Sequence, residues 1–225
     1  MSLTLHFHPL ASYCWKALIA LYENDTPFQP VVVDFGSPAS AARFRALWPL
    51  AKLPVLVDSA RGETVAEATV VVEYLDAFHR GPVRFVPADP ALAWKVRFWD
   101  RFSDNYLQEP MQKIVLDTLR PQGSGDAFGV AQARKAIVQA YDYLESRLGE
   151  PNWIACGAFS LGDCSAAPAL FYANVVEPLT TRHPQARAYL GRLMARPSFS
   201  RVLEEAEPFF GSFPLNPKPS RKLQG

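Results

Sequence analysis

A serine, a tyrosine and a cysteine stand together at Ser12-Tyr13-Cys14, where a short extended segment turns into a helix. Apolar residues at Ala17, Leu18, Leu21 and Tyr22 give the following stretch helical spacing, so these side chains sit at a helix N-terminus. Unsatisfied amides there carry partial positive charge and favour an anion. A hydroxyl at that place either caps the helix or donates a hydrogen bond to a bound anion. A cysteine at that place either becomes a low-pKa nucleophile or packs as a small buried thiol. His6 and His8 share one strand face, but no third ligand accompanies them, so no metal site is expected. Gly123-Ser124-Gly125 lacks the strand and helix context of a phosphate-binding loop and reads as a linker.

The elements that must position these groups change character along the chain. Leu3, Leu5 and Phe7 alternate as a strand, Ser12 to Glu23 form a helix, and Val31-Val32-Val33 suits a buried strand. A second helix covers Ala39 to Leu47. Val55 to Val57 and Thr64 to Ala66 flank the turn Asp58 to Gly62 and predict a hairpin, and Val70 to Phe78 predict a third helix. The order is βαβ followed by ββα. Gly81-Pro82 and Pro87 to Pro90 then punctuate the chain and predict a boundary. Residues 1–80 are thus expected as one domain, 81–90 as a linker and 91–225 as an all-helical domain. Within the latter, Trp94, Phe98, Phe102 and Tyr106 step by four along one long helix. Ala133 to Leu148 stripe another, ending near Gly149 and Pro151. Ser160-Leu161-Gly162-Asp163 has the form of a capping box, and Asn216 to Lys222 read as a loosely held tail.

Composition narrows the function classes. Of 225 residues, 49% are hydrophobic and 20% charged, with a formal net charge of +1, which gives no electrostatic footprint for nucleic acid or an anionic membrane. No apolar run approaches the ~20 residues that cross a bilayer. Met1-Ser2-Leu3-Thr4-Leu5-His6 lacks a basic, apolar secretion signal. The three cysteines, Cys14, Cys156 and Cys164, show no framework spacing and read as reduced thiols, so a cytoplasmic protein is expected.

Four ordered patterns resemble the cytosolic glutathione transferase superfamily, in a bacterial, serine-type or unclassified form: His8 to Lys16, Lys52 to Leu56, Glu67-Ala68-Thr69 before Glu73-Tyr74-Leu75, and Ser160 to Asp163 with Arg196-Pro197-Ser198. The resemblance implies a thioredoxin-like βαβ-ββα domain followed by an all-helical one, with glutathione as co-substrate and a homodimeric assembly. It implies detoxification by adding the glutathione thiolate to a small hydrophobic electrophile. A free thiol with pKa near ~8.5 is only a few per cent ionised at pH 7, so the enzyme must stabilise its anion. In serine-type relatives the active residue lies five places before the basic residue of the helix. That position is Ala11 here, so the resemblance implies Ser12 as the catalytic hydroxyl and Tyr13 as a reserve donor. It also implies a cis peptide before Pro54, with Leu53 pairing the tripeptide backbone and Lys52 reaching its glycyl carboxylate. Glu67 would take the γ-glutamyl ammonium. Where the family usually has a serine, Ala68 offers only its amide, and Thr69 would replace the hydroxyl. Tyr13, Trp99, Tyr106 and Met111 would line the electrophile site. Two alternatives stand beside this: a glutathione-dependent thiol transferase or reductase using Cys14, and a non-catalytic protein that binds glutathione or a hydrophobe, which Ala11 and Ala68 favour.

Overall fold

The computed structural model describes residues 2–149 and 153–223; Met1 and Pro151 lie outside them. Strand β1 (Leu3–Phe7) buries Leu3, Leu5 and Phe7 on one side, as its period-two spacing requires. It pairs in parallel with β2 (Gln29–Val32) and antiparallel with β3 (Val55–Asp58), which pairs antiparallel with β4 (Glu63–Ala66). The sheet order β2-β1-β3-β4 has helices on both faces, a thioredoxin-like arrangement. Helices α1 (Ser12–Glu23) and α3 (Ala68–Phe78) join Leu3, Leu5 and Phe7 in the main core. Helix α2 (Pro38–Leu47) covers the opposite face through Phe44, which packs with Val33 and Val55.

The predicted valine strand needs correction. It ends at Val32 and is largely exposed, because β2 is an edge strand; β-branched residues reported strand propensity there, not burial. Only Val33, just past its end, is buried, its amide bonded to the Phe7 carbonyl at 2.8 Å.

From Pro90 onward the described residues are helical or irregular: α4 (Pro90–Phe102), a π-helical turn (Ser103–Gln108), α5 (Glu109–Asp117), α6 (Ala127–Arg147), α7 (Leu161–Val176), α8 (Pro184–Ala195) and α9 (Pro197–Ala206). Every residue of α7 is buried, which explains its apolar composition on all sides. Gly162 lets α4 approach, since a Cβ there would lie 3.1 Å from that of Trp99. The capping box forms at its start, with the Asp163 carboxylate accepting from the Ser160 amide at 3.0 Å and from its hydroxyl at 2.9 Å. That carboxylate also accepts from Ile154 N and the Tyr189 hydroxyl, tying the preceding loop and α8 to the same cap.

The expected long aromatic helix is interrupted. The π turn follows Phe102, and Trp94 and Tyr106 point outward, 60% and 57% exposed, while Phe102 is buried. A strict four-residue step drifts around a helix of roughly 3.6 residues per turn, so the stripe cannot stay in the core. The tail also departs from expectation: Pro219 is buried and Leu215 and Leu223 pack on the core.

One lysine joins the two halves. Lys16 of α1 is 1% exposed, and its ammonium reaches Asp100 of α4 at 2.8 Å, Asp104 of the π turn at 2.9 Å and the Thr69 hydroxyl of α3 at 3.0 Å. Lys16→Met should therefore lower unfolding free energy by about 3–5 kcal/mol, because it leaves two buried carboxylates sharing the single cation Arg101. Urea denaturation monitored by tryptophan fluorescence measures this; a loss under ~1 kcal/mol would show that this contact does not hold the halves together.

Candidate functional site

The turn before α1 is held from several sides. The Ala11 amide bonds the His8 carbonyl at 3.0 Å, the Trp15 indole donates to Pro9 O at 2.6 Å, and the Tyr172 hydroxyl donates to Leu10 O at 3.1 Å. The N-cap is Ala11, which has no capping side chain, so Ser12 is the first helical residue and not a cap. Its buried Oγ instead accepts a hydrogen bond from the Gln108 amide of the π turn. The Cys14 amide already bonds the Ala11 carbonyl at 2.8 Å, so the amides of Ser12 and Tyr13 are the ones that keep anion-binding capacity.

Two clefts meet at this helix end. The first, of ≈ 280 Å³, is polar, and Tyr13, Lys52, Leu53, Pro54, Glu67 and Ala68 form one side of it. Arg101, Asp104, Asn105, Glu109 and Gln112 form the other. The Leu53–Pro54 peptide is cis, and Glu67 adopts φ 68°, a region that costs a non-glycine residue about 1–3 kcal/mol. Strain of that kind survives only where neighbours impose it. Here Ala66 is locked into the β3–β4 ladder, while Glu67 O already accepts from Val71 N as the α3 N-cap. The second cleft, of ≈ 180 Å³, is mainly apolar, with Ser12, Met111, Val115, Leu119, Tyr172 and Phe213 among its walls. Gln112 borders both.

Of the residues singled out in the sequence, Lys52, Leu53, Pro54, Glu67 and Ala68 gather in the polar cleft, and Ser12 and Met111 in the apolar one. Tyr13, expected beside the electrophile, lies in the polar cleft instead, because consecutive helical side chains diverge by about 100°. Burial, with Asp104 and Glu109 nearby, pushes its phenol well up, so it stays protonated and able to donate. Thr69 does not line the cleft: its hydroxyl is held by Lys16, Asp100 and Arg101. Trp99 and Tyr106 line neither cleft. Trp99 is buried against Phe102 and Tyr143, and Tyr106 packs on the outer side of Phe102.

Sequence reasoning missed Arg101, Asp104, Asn105, Gln108, Glu109 and Gln112. The signal was present as the charges Asp100, Arg101 and Asp104 inside an aromatic stripe, where a core helix should carry none. Burial opposes ionisation of Asp100, but Lys16, Ser165 and Arg101 outweigh it and hold the carboxyl below the usual range. At Asp104 burial prevails over Lys16, Asp100 adds repulsion, and the carboxyl is pushed up. Among the described residues no three or more His, Cys, Asp or Glu side chains could hold a metal, and no helix is long and apolar enough to cross a membrane.

Comparisons with known proteins agree with this architecture. Residues 11–77 match the family model for the glutathione S-transferase N-terminal domain, and residues 127–192 that for the C-terminal domain. FtsZ-localized protein A of Caulobacter vibrioides is 28% identical over 216 residues, 91% of this chain and 92% of that protein. Glutathione transferase GST 23 of Zea mays is 30% identical over 154 residues, 64% of each. A glutathione S-transferase from Methylobacillus flagellatus, solved with glutathione bound, superposes with a TM-score of 0.79 at 25% identity, covering 89% of this chain and 98% of that one.

The cysteines separate by environment. Cys14 and Cys164 are fully buried, and burial pushes the Cys14 thiol up to about 12 against a hydrogen bond at the His8 backbone. Cys156 is partly exposed. Native protein treated with iodoacetamide at neutral pH should take one label, on Cys156, by peptide mass spectrometry, and three after unfolding. Labelling of native Cys14 would restore the disulfide chemistry that its burial opposes.

Proposed function

The chain belongs to the glutathione S-transferase superfamily, and we propose that it is a glutathione transferase acting on small hydrophobic electrophiles in the cytoplasm, as a detoxifying enzyme. The observation that carries this reading is the position of the α1 N-terminus, between a polar cleft suited to a zwitterionic peptide and an apolar one. In this reading Lys52 takes the glycyl carboxylate, the Leu53 main chain pairs with the cysteinyl unit, and Glu67 takes the γ-glutamyl ammonium. The sulfur then lies at the junction, against the first-turn amides of α1.

Ser12 is the donor proposed for that sulfur. Its oxygen accepts from Gln108, which leaves the hydroxyl hydrogen to be given to an anion. A hydrogen bond to a charged group is worth about 1.5–3 kcal/mol and the helix end about 0.3–1 kcal/mol. Together they lower the thiol pKa by about one to three units, enough for thiolate to predominate near neutrality. Tyr13, neutral and on the polar side, is the reserve donor. The electrophile enters the apolar cleft beside Met111, where a sulfur lone pair forms the C–S bond as the leaving group departs with its electron pair, the thiol proton having already passed to solvent.

Residues 1–80 would supply the peptide site, 81–90 the linker and 91–225 the electrophile site. Homodimerisation is part of the same proposal. Val70 of α3 and Trp94 and Phe98 of α4 are exposed, around the Glu73–Arg97 ion pair that ties those helices. A second reading, a non-catalytic binding protein, draws support from Ala11 and Ala68 and from the likeness to FtsZ-localized protein A.

Ser12→Ala should lower kcat/KM with glutathione and a chromogenic aryl halide about 10- to 100-fold, and raise the bound thiol pKa in step, as read from thiolate absorbance. An unaffected Ser12→Ala beside a disabled Tyr13→Phe would transfer the role to Tyr13. Glutathione binding with an unshifted thiol pKa in the wild type would select the non-catalytic reading. Sedimentation equilibrium should give a dimer for the wild type and a monomer for Trp94→Glu; a monomeric wild type removes the proposed assembly.

A further inference from the structure

The polar cleft has a gap in its chemistry. Ala68, the first residue of α3, lines the cleft with a methyl group, so in the glutathione-binding reading it offers the α-carboxylate beside Glu67 no side-chain donor. The neighbouring Thr69 cannot supply it, because its hydroxyl lies within 3.0 Å of Lys16 Nζ and 3.1 Å of Asp100. The guanidinium that also grips Thr69 belongs to Arg101, and Arg101 lines the same cleft as Glu67 and Ala68.

We infer that Arg101 is a specificity-determining residue of this site, reading the α-carboxylate of the γ-glutamyl group while Glu67 reads its α-ammonium. The inference rests on the glutathione-binding reading above and adds the feature of the ligand that the site demands: a γ-glutamyl thiol with both α-charges intact.

Three observations support it. The first is the free edge of the guanidinium. Nε donates to Asp100 at 2.9 Å and Nη2 bonds Asp104 at 2.5 Å and Thr69, whereas Nη1 meets no acceptor among the described residues. The side chain is 52% exposed and lines the cleft. The second is orientation. Two carboxylates and a hydroxyl fix the planar fork, so little rotamer entropy is lost when a third anion arrives. The third is charge. Asp100 and Asp104 are also paired with Lys16, so the two cations and two carboxylates balance and an arriving anion meets no net negative charge from this cluster. The first amides of α3 add a weaker attraction for the same anion. Glu67, held at φ 68° one residue before Ala68, supplies the opposite charge next to it. An amino-acid zwitterion meets its complement there.

Isothermal titration calorimetry with glutathione, and with 4-aminobutanoyl-cysteinylglycine, which lacks only the α-carboxylate, tests the inference. The wild type should bind the analogue about 10- to 100-fold more weakly than glutathione, the size of one charge-assisted hydrogen bond. Arg101→Gln should lose a similar factor for glutathione while binding the analogue as the wild type does, and Arg101→Lys should recover part of the loss. Equal affinity of the wild type for the two ligands, a result that needs no variant to fold, overturns the inference. So does an Arg101→Gln protein, shown by its thermal melt to be folded, that loses the same factor for both ligands. A wild type that binds no glutathione at all removes the inference together with the reading beneath it.

Discussion

A buried ammonium governs this structure. Lys16 has no access to water, and a charge so placed is tolerated only with partners in good geometry. Those partners come from α4 and the π turn, so the requirement of one residue in the sheet-bearing half fixes where the helical half must sit. Ser12 lies one turn before Lys16, at i and i+4, and so on the same face of α1. The interaction that solvates Lys16 therefore also sets the rotation of the helix end at which the clefts meet. Gln108 completes the match by bonding Ser12 from the same stretch of chain.

The π turn makes that match geometrically possible. Asp100, Asp104 and Gln108 are spaced by four, and all three reach α1. In an α-helix of roughly 3.6 residues per turn, each four-residue step overshoots, and three such residues fan out around the axis. A π turn, bonded i to i+5, needs more residues per turn, so a step of four falls short. The first step runs from α4 into the π turn and the second lies within it, so Gln108 stays nearer the direction of Asp100 than two α-helical steps would place it. The irregular segment is the device that lets a straight helix face be read by a single run of polar side chains.

Local signals in the sequence carried much of the fold. The start of α1 at Ser12, the hairpin of β3 and β4, and the capping box at Ser160 rest on residues within a few positions of one another, and the structure follows them. What stayed hidden depends on distant partners. Lys16 looks like any basic residue in a helix until two aspartates more than eighty positions away are placed against it. Thr69 carries a hydroxyl at a helix start, and only the tertiary neighbours reveal that it is spoken for. The edge position of β2 follows from sheet order, which propensity does not encode, and the π turn has no periodic signature of its own.

The same geometry gives two adjacent residues at the helix end different surroundings. Ser12 and Tyr13 are separated by about 100° around α1, so one faces the apolar cleft and the other the polar one. Their environments then give them different capacities. Tyr13 is kept neutral by burial and by Asp104 and Glu109, so it cannot act as a base near neutrality and can only donate. The neutral Ser12 hydroxyl has one hydrogen to give, and its oxygen already accepts from Gln108, which turns that hydrogen away from the π turn. Neither residue can remove a proton. In the proposed reading, an anion at this junction is stabilised by donors and helix amides, its proton passes to solvent, and the chemistry depends on how many donors converge on one atom.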